Sequence, residues 1–148
     1  MAIIAFGTDV EPMRSPLTGL ALATPSASAY LPLEHRLLGS PTQLPLDQVR
    51  ELLGPVLADA SIAKLGHYLK YTHVLLDKHG LDLRGGTLDT MLASYLIDPE
   101  SSHQLQVIAE REAGIRLATF ESIAPRPKRG PKPTAQDVEV EVFARYAT

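Results

Sequence analysis

The chain is 148 residues long, carries no cysteine and has a formal net charge of −3. That length supports one domain with a sizeable core, and the missing cysteines rule out disulfides and thiolate metal sites. The charge balance rules out a global basic field, so any nucleic-acid binding must use a local patch.

The start, Met1 to Phe6, is apolar but too short for a signal peptide or a membrane span and has no basic region before it, so a soluble, cytoplasmic protein is expected. Ile3 to Phe6 reads as a β-branched strand, and Leu17 to Ala23 as a second. Ala29 to Leu33 reads as a third, at a sheet edge because Pro32 cannot donate a ladder hydrogen bond. Short turns between them predict an antiparallel meander. A helix is expected from Leu46, with Val49, Leu52, Leu53, Val56 and Leu57 at helical spacing and Pro55 kinking or ending it.

Ile62 to Leu65 predicts a fourth strand, Leu69 to His79 a helix, and Leu81 to Arg84 a fifth strand between turn-forming glycines. Leu88 to Leu96 reads as a helix opening on Asp89 or Thr90 and stopped by Asp98-Pro99. Ser101 or Ser102 can cap a helix over His103 to Glu112, which Gly114 ends. Phe120 to Ile123 is a short helical turn, 124–133 a basic, proline-rich loop, and Thr134 caps a last helix, Ala135 to Ala147. The whole reads as a mixed α/β sheet flanked by helices, a class that carries its chemistry where strand ends meet helix starts.

Two segments resemble a known family. Gly66-His67-Tyr68-Leu69-Lys70-Tyr71-Thr72 is similar to Gly-Gln-Asn-Leu-Lys-Tyr-Asp, and Leu88-Asp89-Thr90-Met91-Leu92-Ala93-Ser94-Tyr95-Leu96 to Phe-Asp-Thr-Met-Leu-Ala-Ser-Tyr-Leu, of the 3′–5′ proofreading exonuclease domain of bacterial DNA polymerase I. Tyr30-Leu31-Pro32-Leu33 and Arg36-Leu37-Leu38-Gly39 add to the resemblance, which extends from Ala5 to Ala147. It implies an α/β, ribonuclease H-like mixed sheet: a three-strand antiparallel meander followed by parallel strands. It also implies a single domain over 1–148, C-terminally truncated and without a polymerase domain.

The family hydrolyses a terminal phosphodiester with two divalent metals, Mg²⁺ or Mn²⁺, about 3.5–4 Å apart. Such hard cations need several converging carboxylates. Aligned without gaps from Phe6, the first two family carboxylates fall on Gly7 and Asp9; aligned backwards from Pro12-Met13-Arg14, Thr8-Asp9 fall on a later Thr-Asp. Asp9 is therefore the one candidate metal ligand left in that motif. Thr72 stands where the second motif has a metal-binding Asp. Phe143-Ala144-Arg145-Tyr146-Ala147 resembles the third motif and makes Tyr146 the candidate catalytic residue that orients the attacking water, but the sequence stops at Thr148, before the family's Asp. The retained Asp89 reads as a helix cap, and the five histidines have no ligand spacing.

By resemblance Phe120 stacks on a base near a DNA 3′ end; it reads equally as a core phenylalanine. Val10 or Met13 falls near the family's wedging residue. Arg126, Lys128, Arg129 and Lys132 could meet phosphates or form a solvated loop. The expectation is an exonuclease-like domain with catalysis lost or severely impaired, no two-metal site, and weak binding of a single-stranded DNA 3′ end. The alternatives are a residual metal-dependent 3′–5′ exonuclease using Asp9, Asp89 and Glu11, and a module binding protein through the proline-rich loop.

Overall fold

The computed structural model describes residues 1–148. Strands β1 (Ala2–Gly7), β2 (Leu17–Ala23) and β3 (Ser28–Pro32) form the expected antiparallel meander. Strands β4 (Lys64–Gly66) and β5 (Gly86–Asp89) extend the sheet in parallel on the other side of β1, giving the order β3-β2-β1-β4-β5. β3 is an edge strand, as Pro32 requires.

Alternation along β1 divides the core. Ile3 and Ala5 point to the face where Leu57 of helix α1 (Leu46–Ala58) and Leu75 and Leu76 of α2 (Leu69–Lys78) are fully enclosed. Phe6 points to the opposite face and joins a second cluster. That cluster is built by α5 (Phe120–Ile123), a short 3₁₀ turn (Ala135–Asp137) and α6 (Val140–Ala147) around the buried Phe143. Helices α3 (Thr90–Ile97) and α4 (Leu105–Ala113) form a hairpin beside β5.

Several expectations are corrected. The fifth strand is Gly86–Asp89 and not Leu81–Arg84. Leu81 and Leu83 are buried, but as an irregular segment filling the core under α1 and α2. Pro55 does not end α1, which runs three residues further to Ala58. It costs α1 the bond that position 55 would donate to the Glu51 carbonyl, and the turn beyond it is held by the enclosed Leu57 and by the Asp59 amide donating to the Pro55 carbonyl. Leu52 is exposed, lying about 100° around the helix from Leu53. The last helix is split: Thr134 and Asp137 form a reciprocal capping box around the 3₁₀ turn, and the extended Val138-Glu139 separates it from α6. Neither Ser101 nor Ser102 caps α4, whose first flanking residue is Gln104. Gly114 ends α4 in the left-handed conformation (φ 66°), as expected.

Lys64 is fully buried in β4, and its ammonium donates to the Asp59 carbonyl. His35 is buried between β3 and the C-terminal segment, with Nε2 2.7 Å from the Tyr30 hydroxyl and Nδ1 2.9 Å from the Val138 carbonyl. These contacts clamp the second cluster onto the sheet. Burial pushes the Tyr30 phenol far above its ordinary pKa. No helix is long and apolar enough to cross a membrane.

Candidate functional site

The site forms where β1 ends. At Phe6/Gly7 the pairing with β2 shifts register, and the chain turns through Thr8 to Ser15. Ser15 is fully buried, and its Oγ accepts from the amides of Thr8 (2.7 Å) and Asp9 (3.2 Å) and donates to the Pro16 carbonyl (3.2 Å). This folds the loop back over Gly7. A Cβ placed on Gly7 would lie 2.1 Å from Ser15 Oγ and 2.6 Å from Tyr71 Oη, so any side chain there requires both hydroxyls to shift. Tyr71 Oη in turn donates to the Asp9 carbonyl at 2.6 Å. Burial raises the pKa of Tyr71, partly offset by the adjacent Ser15 hydroxyl.

Thr72 is buried on the first turn of α2, and its hydroxyl accepts from the Ala5 amide at 3.3 Å. It works as a brace between α2 and β1. Asp89 accepts from Met91 and Leu92 at the start of α3, and also from the Tyr68 and Leu69 amides at the start of α2. The capping role expected for it is present, and doubled. His67 Nδ1 lies 3.0 Å from Thr90 Oγ1, whose hydroxyl donates to the Gly66 carbonyl. Burial lowers the His67 pKa, opposed by the Asp89 charge.

Asp9 lies on the exposed loop, and its carboxylate accepts from the Glu11 amide at 2.9 Å. Glu11 similarly turns back to the Met13 amide. No group of three or more histidine, aspartate or glutamate side chains converges anywhere in the chain. The donors present do not fit two divalent cations: position 7 is closed, Thr72 is neutral and engaged, and the Asp89 carboxylate is occupied by backbone amides. A lone Asp9 leaves the charge of two such ions largely uncompensated.

What the fold does assemble is an aromatic cleft of about 470 Å³. Phe6, Tyr68, Tyr71, Phe120, Phe143 and Tyr146 line it, with Asp9 and Val10 at one side. Phe120 lies edge-on to Tyr146 at 6.1 Å between centroids and to Phe143 at 6.4 Å, half-buried and so both core and cleft wall. Tyr146 has its pKa raised, mainly by burial and further by Glu121. The expected residues Asp9, Phe120 and Tyr146 thus share one cleft. Arg126 and Lys132 reach a shallow depression on the far side of Phe120. Lys128 and Arg129 stand further out on the exposed loop, and none of these four cations is ion-paired.

Sequence reasoning missed Ser15 and Tyr68. Nothing local marks Ser15, a turn serine whose partners are set by how β1 ends. Tyr68 was visible as a departure from the family's Asn, but its left-handed backbone was not.

A family profile described as the ribonuclease H-like domain of DNA polymerase I matches residues 8–138. DNA polymerase I of Pseudomonas aeruginosa is 32% identical over 152 residues, covering 98% of this chain and 16% of that protein. DNA polymerase I of Synechocystis is 30% identical over 150 residues, covering 97% of this chain and 14% of that protein. Among solved structures, the POL domain of Pol1 from M. smegmatis in complex with DNA primer-template and dNTP superposes with a TM-score of 0.61 at 28% identity. That match covers 79% of this chain and 19% of the other. Brucella melitensis NrnC superposes with a TM-score of 0.66 at 15% identity, covering 99% of this chain and 63% of its own, a likeness of fold. The chain spans about one seventh of the curated relatives it matches, its sheet is the ribonuclease H-like one, and it belongs to the DNA polymerase I ribonuclease H-like domain family.

Proposed function

We propose that this chain keeps the exonuclease-like fold and its strand-end cleft but has lost metal-dependent cleavage, and that it holds single-stranded DNA weakly. The observation that carries this reading is the closure over Gly7: Ser15 Oγ and Tyr71 Oη fill the space at the end of β1 where a carboxylate would have to project. Thr72, spent on the Ala5 amide, removes a second ligand position. Binding has separate support in the aromatic lining of the cleft, with Arg126 and Lys132 placed beside Phe120 to meet phosphates. We further propose that 1–148 acts as a single domain and that any link to polymerisation comes from other chain, as the size of the relatives suggests.

The test is nucleotide release from a 5′-labelled single-stranded oligonucleotide, with Mg²⁺ or Mn²⁺ and with chelator. No laddering from folded protein is expected. Chelator-sensitive laddering abolished by Asp9→Ala would overturn the reading in favour of a residual 3′–5′ exonuclease.

A further inference from the structure

Tyr68 has φ 58° and ψ 51°, and it is the one non-glycine residue of the chain in the left-handed region. A bulky side chain is a genuine outlier there. The conformation is enforced from outside: the Asp89 carboxylate accepts from the Tyr68 amide at 3.0 Å and from Leu69 at 2.8 Å. Enforced strain beside a cleft points to a use for the side chain that the strain positions.

Tyr68 is 43% exposed. Its ring sits 5.8 Å from that of Tyr71, at 30° between planes. It borders two adjoining spaces, the aromatic cleft and a second groove of about 330 Å³ beside Ile4, Thr72 and Gln104. Phe120 and Tyr146, from α5 and α6, line the first of these as well. Asp9 is the only formally charged side chain around the cleft, and it is bonded within its own loop. Such a lining suits a flat ring held by its faces. It offers nothing for a phosphate–metal pair, and the free cations Arg126 and Lys132 lie outside it.

We propose that Tyr68 is a stacking platform for a nucleobase, and that nucleotides bind this cleft without any divalent cation. This rests on the nucleic-acid reading above and adds to it the recognition element and the metal independence. The base lies against Tyr68 and Phe120, and the adjoining phosphates meet Arg126 and Lys132.

The chain has no tryptophan, and three of its five tyrosines, Tyr68, Tyr71 and Tyr146, line the cleft, so tyrosine emission responds to a ligand there. The full chain is titrated with a short labelled oligodeoxythymidylate in EDTA, following strand anisotropy and tyrosine emission together. Binding with quenched emission is expected, unchanged when Mg²⁺ replaces EDTA. An abasic strand of equal length is expected to bind about tenfold more weakly, as is the Tyr68→Gly variant. Tyr68→Gly should melt no lower than wild type, since glycine takes a positive φ freely, which separates lost binding from lost folding. Tyr68→Phe should bind normally. Competition by thymidine monophosphate identifies a free nucleotide as sufficient, and competition by strand alone identifies a strand end; each is a base on Tyr68. Wild-type affinity in Tyr68→Gly, equal affinity for the abasic strand, or a requirement for Mg²⁺ overturns the proposal while leaving the nucleic-acid reading standing. No binding by folded wild type overturns both.

Discussion

The Asp89 carboxylate caps a helix that is not its own: Oδ2 accepts from the Leu69 amide at 2.8 Å, twenty residues earlier in the chain. Oδ1 serves Tyr68 at 3.0 Å and Met91 at 2.9 Å, so one side chain satisfies free amides at the starts of both α2 and α3. A single N-cap is worth about 0.5–2 kcal/mol. Asp89→Ala removes two and should cost about 2–3 kcal/mol in urea unfolding. Asp89→Asn keeps one acceptor oxygen and should cost less. A loss below about 0.5 kcal/mol in Asp89→Ala would show that water replaces the carboxylate at both helix starts.

Gly7 and Ser15 form a second coupled pair. Gly7→Ala forces a Cβ into the space held by Ser15 Oγ and Tyr71 Oη, and overpacking of this kind costs about 1–3 kcal/mol. Ser15→Gly removes the nearer obstacle at the expense of the acceptor for the Thr8 and Asp9 amides. A double-mutant cycle should therefore show Gly7→Ala costing less in the Ser15→Gly background. Additive losses would mean that the Thr8–Ser15 loop moves aside on its own.

Much of this fold is legible in the residues, for reasons that differ by element. β1, β2 and β3 announce themselves by apolar runs, and Pro32 marks its own edge. β5 is not legible in the residues: Leu81-Asp82-Leu83-Arg84 alternates like a strand, whereas Gly86-Thr87-Leu88-Asp89 has a weak propensity and forms because β4 offers a parallel partner. The 3₁₀ turn before α6 was absorbed into one helix because its apolar residues continue the helical spacing; the break at Val138-Glu139 comes from packing against Phe143 and His35. At the site, the resemblance sets Gly7 and Thr72 against carboxylates of the family. The surroundings of Gly7 are not legible, since Ser15 and Tyr71 meet it only after the sheet and α2 are in place.

His67 gives stability a pH dependence on the acid side. Burial lowers its pKa in the folded chain below the ordinary value of 6.5. As pH falls through about 6.5 the unfolded chain takes up the proton first, so stability is full above that value and declines below it. Thermal melts from pH 8 down to pH 5 should show the fall, and His67→Gln should flatten it. An equal slope in the variant would assign the dependence to other groups.

The alkaline side is governed by tyrosines. Tyr30, Tyr71 and Tyr146 all have raised phenol pKa values, with burial as the leading cause. The unfolded chain then loses those protons first as pH passes about 10, so stability is full below that point and falls above it. Ultraviolet titration of tyrosinate should find three of the five phenols ionising late, and denaturant should release them. Five phenols titrating together near pH 10 in the folded protein would contradict the buried placement of these rings.

The interlock at the end of β1 also bears on how such a chain can evolve. Where a glycine is merely unoccupied space, one base change could reinstate a larger residue and selection could act on the result. Here Ser15 occupies the space and anchors its loop, so Gly7→Ala alone meets the Ser15 hydroxyl and Ser15→Gly alone removes the loop anchor. Substitution at the two positions is therefore coupled, and a side chain at position 7 is accommodated best when position 15 changes with it.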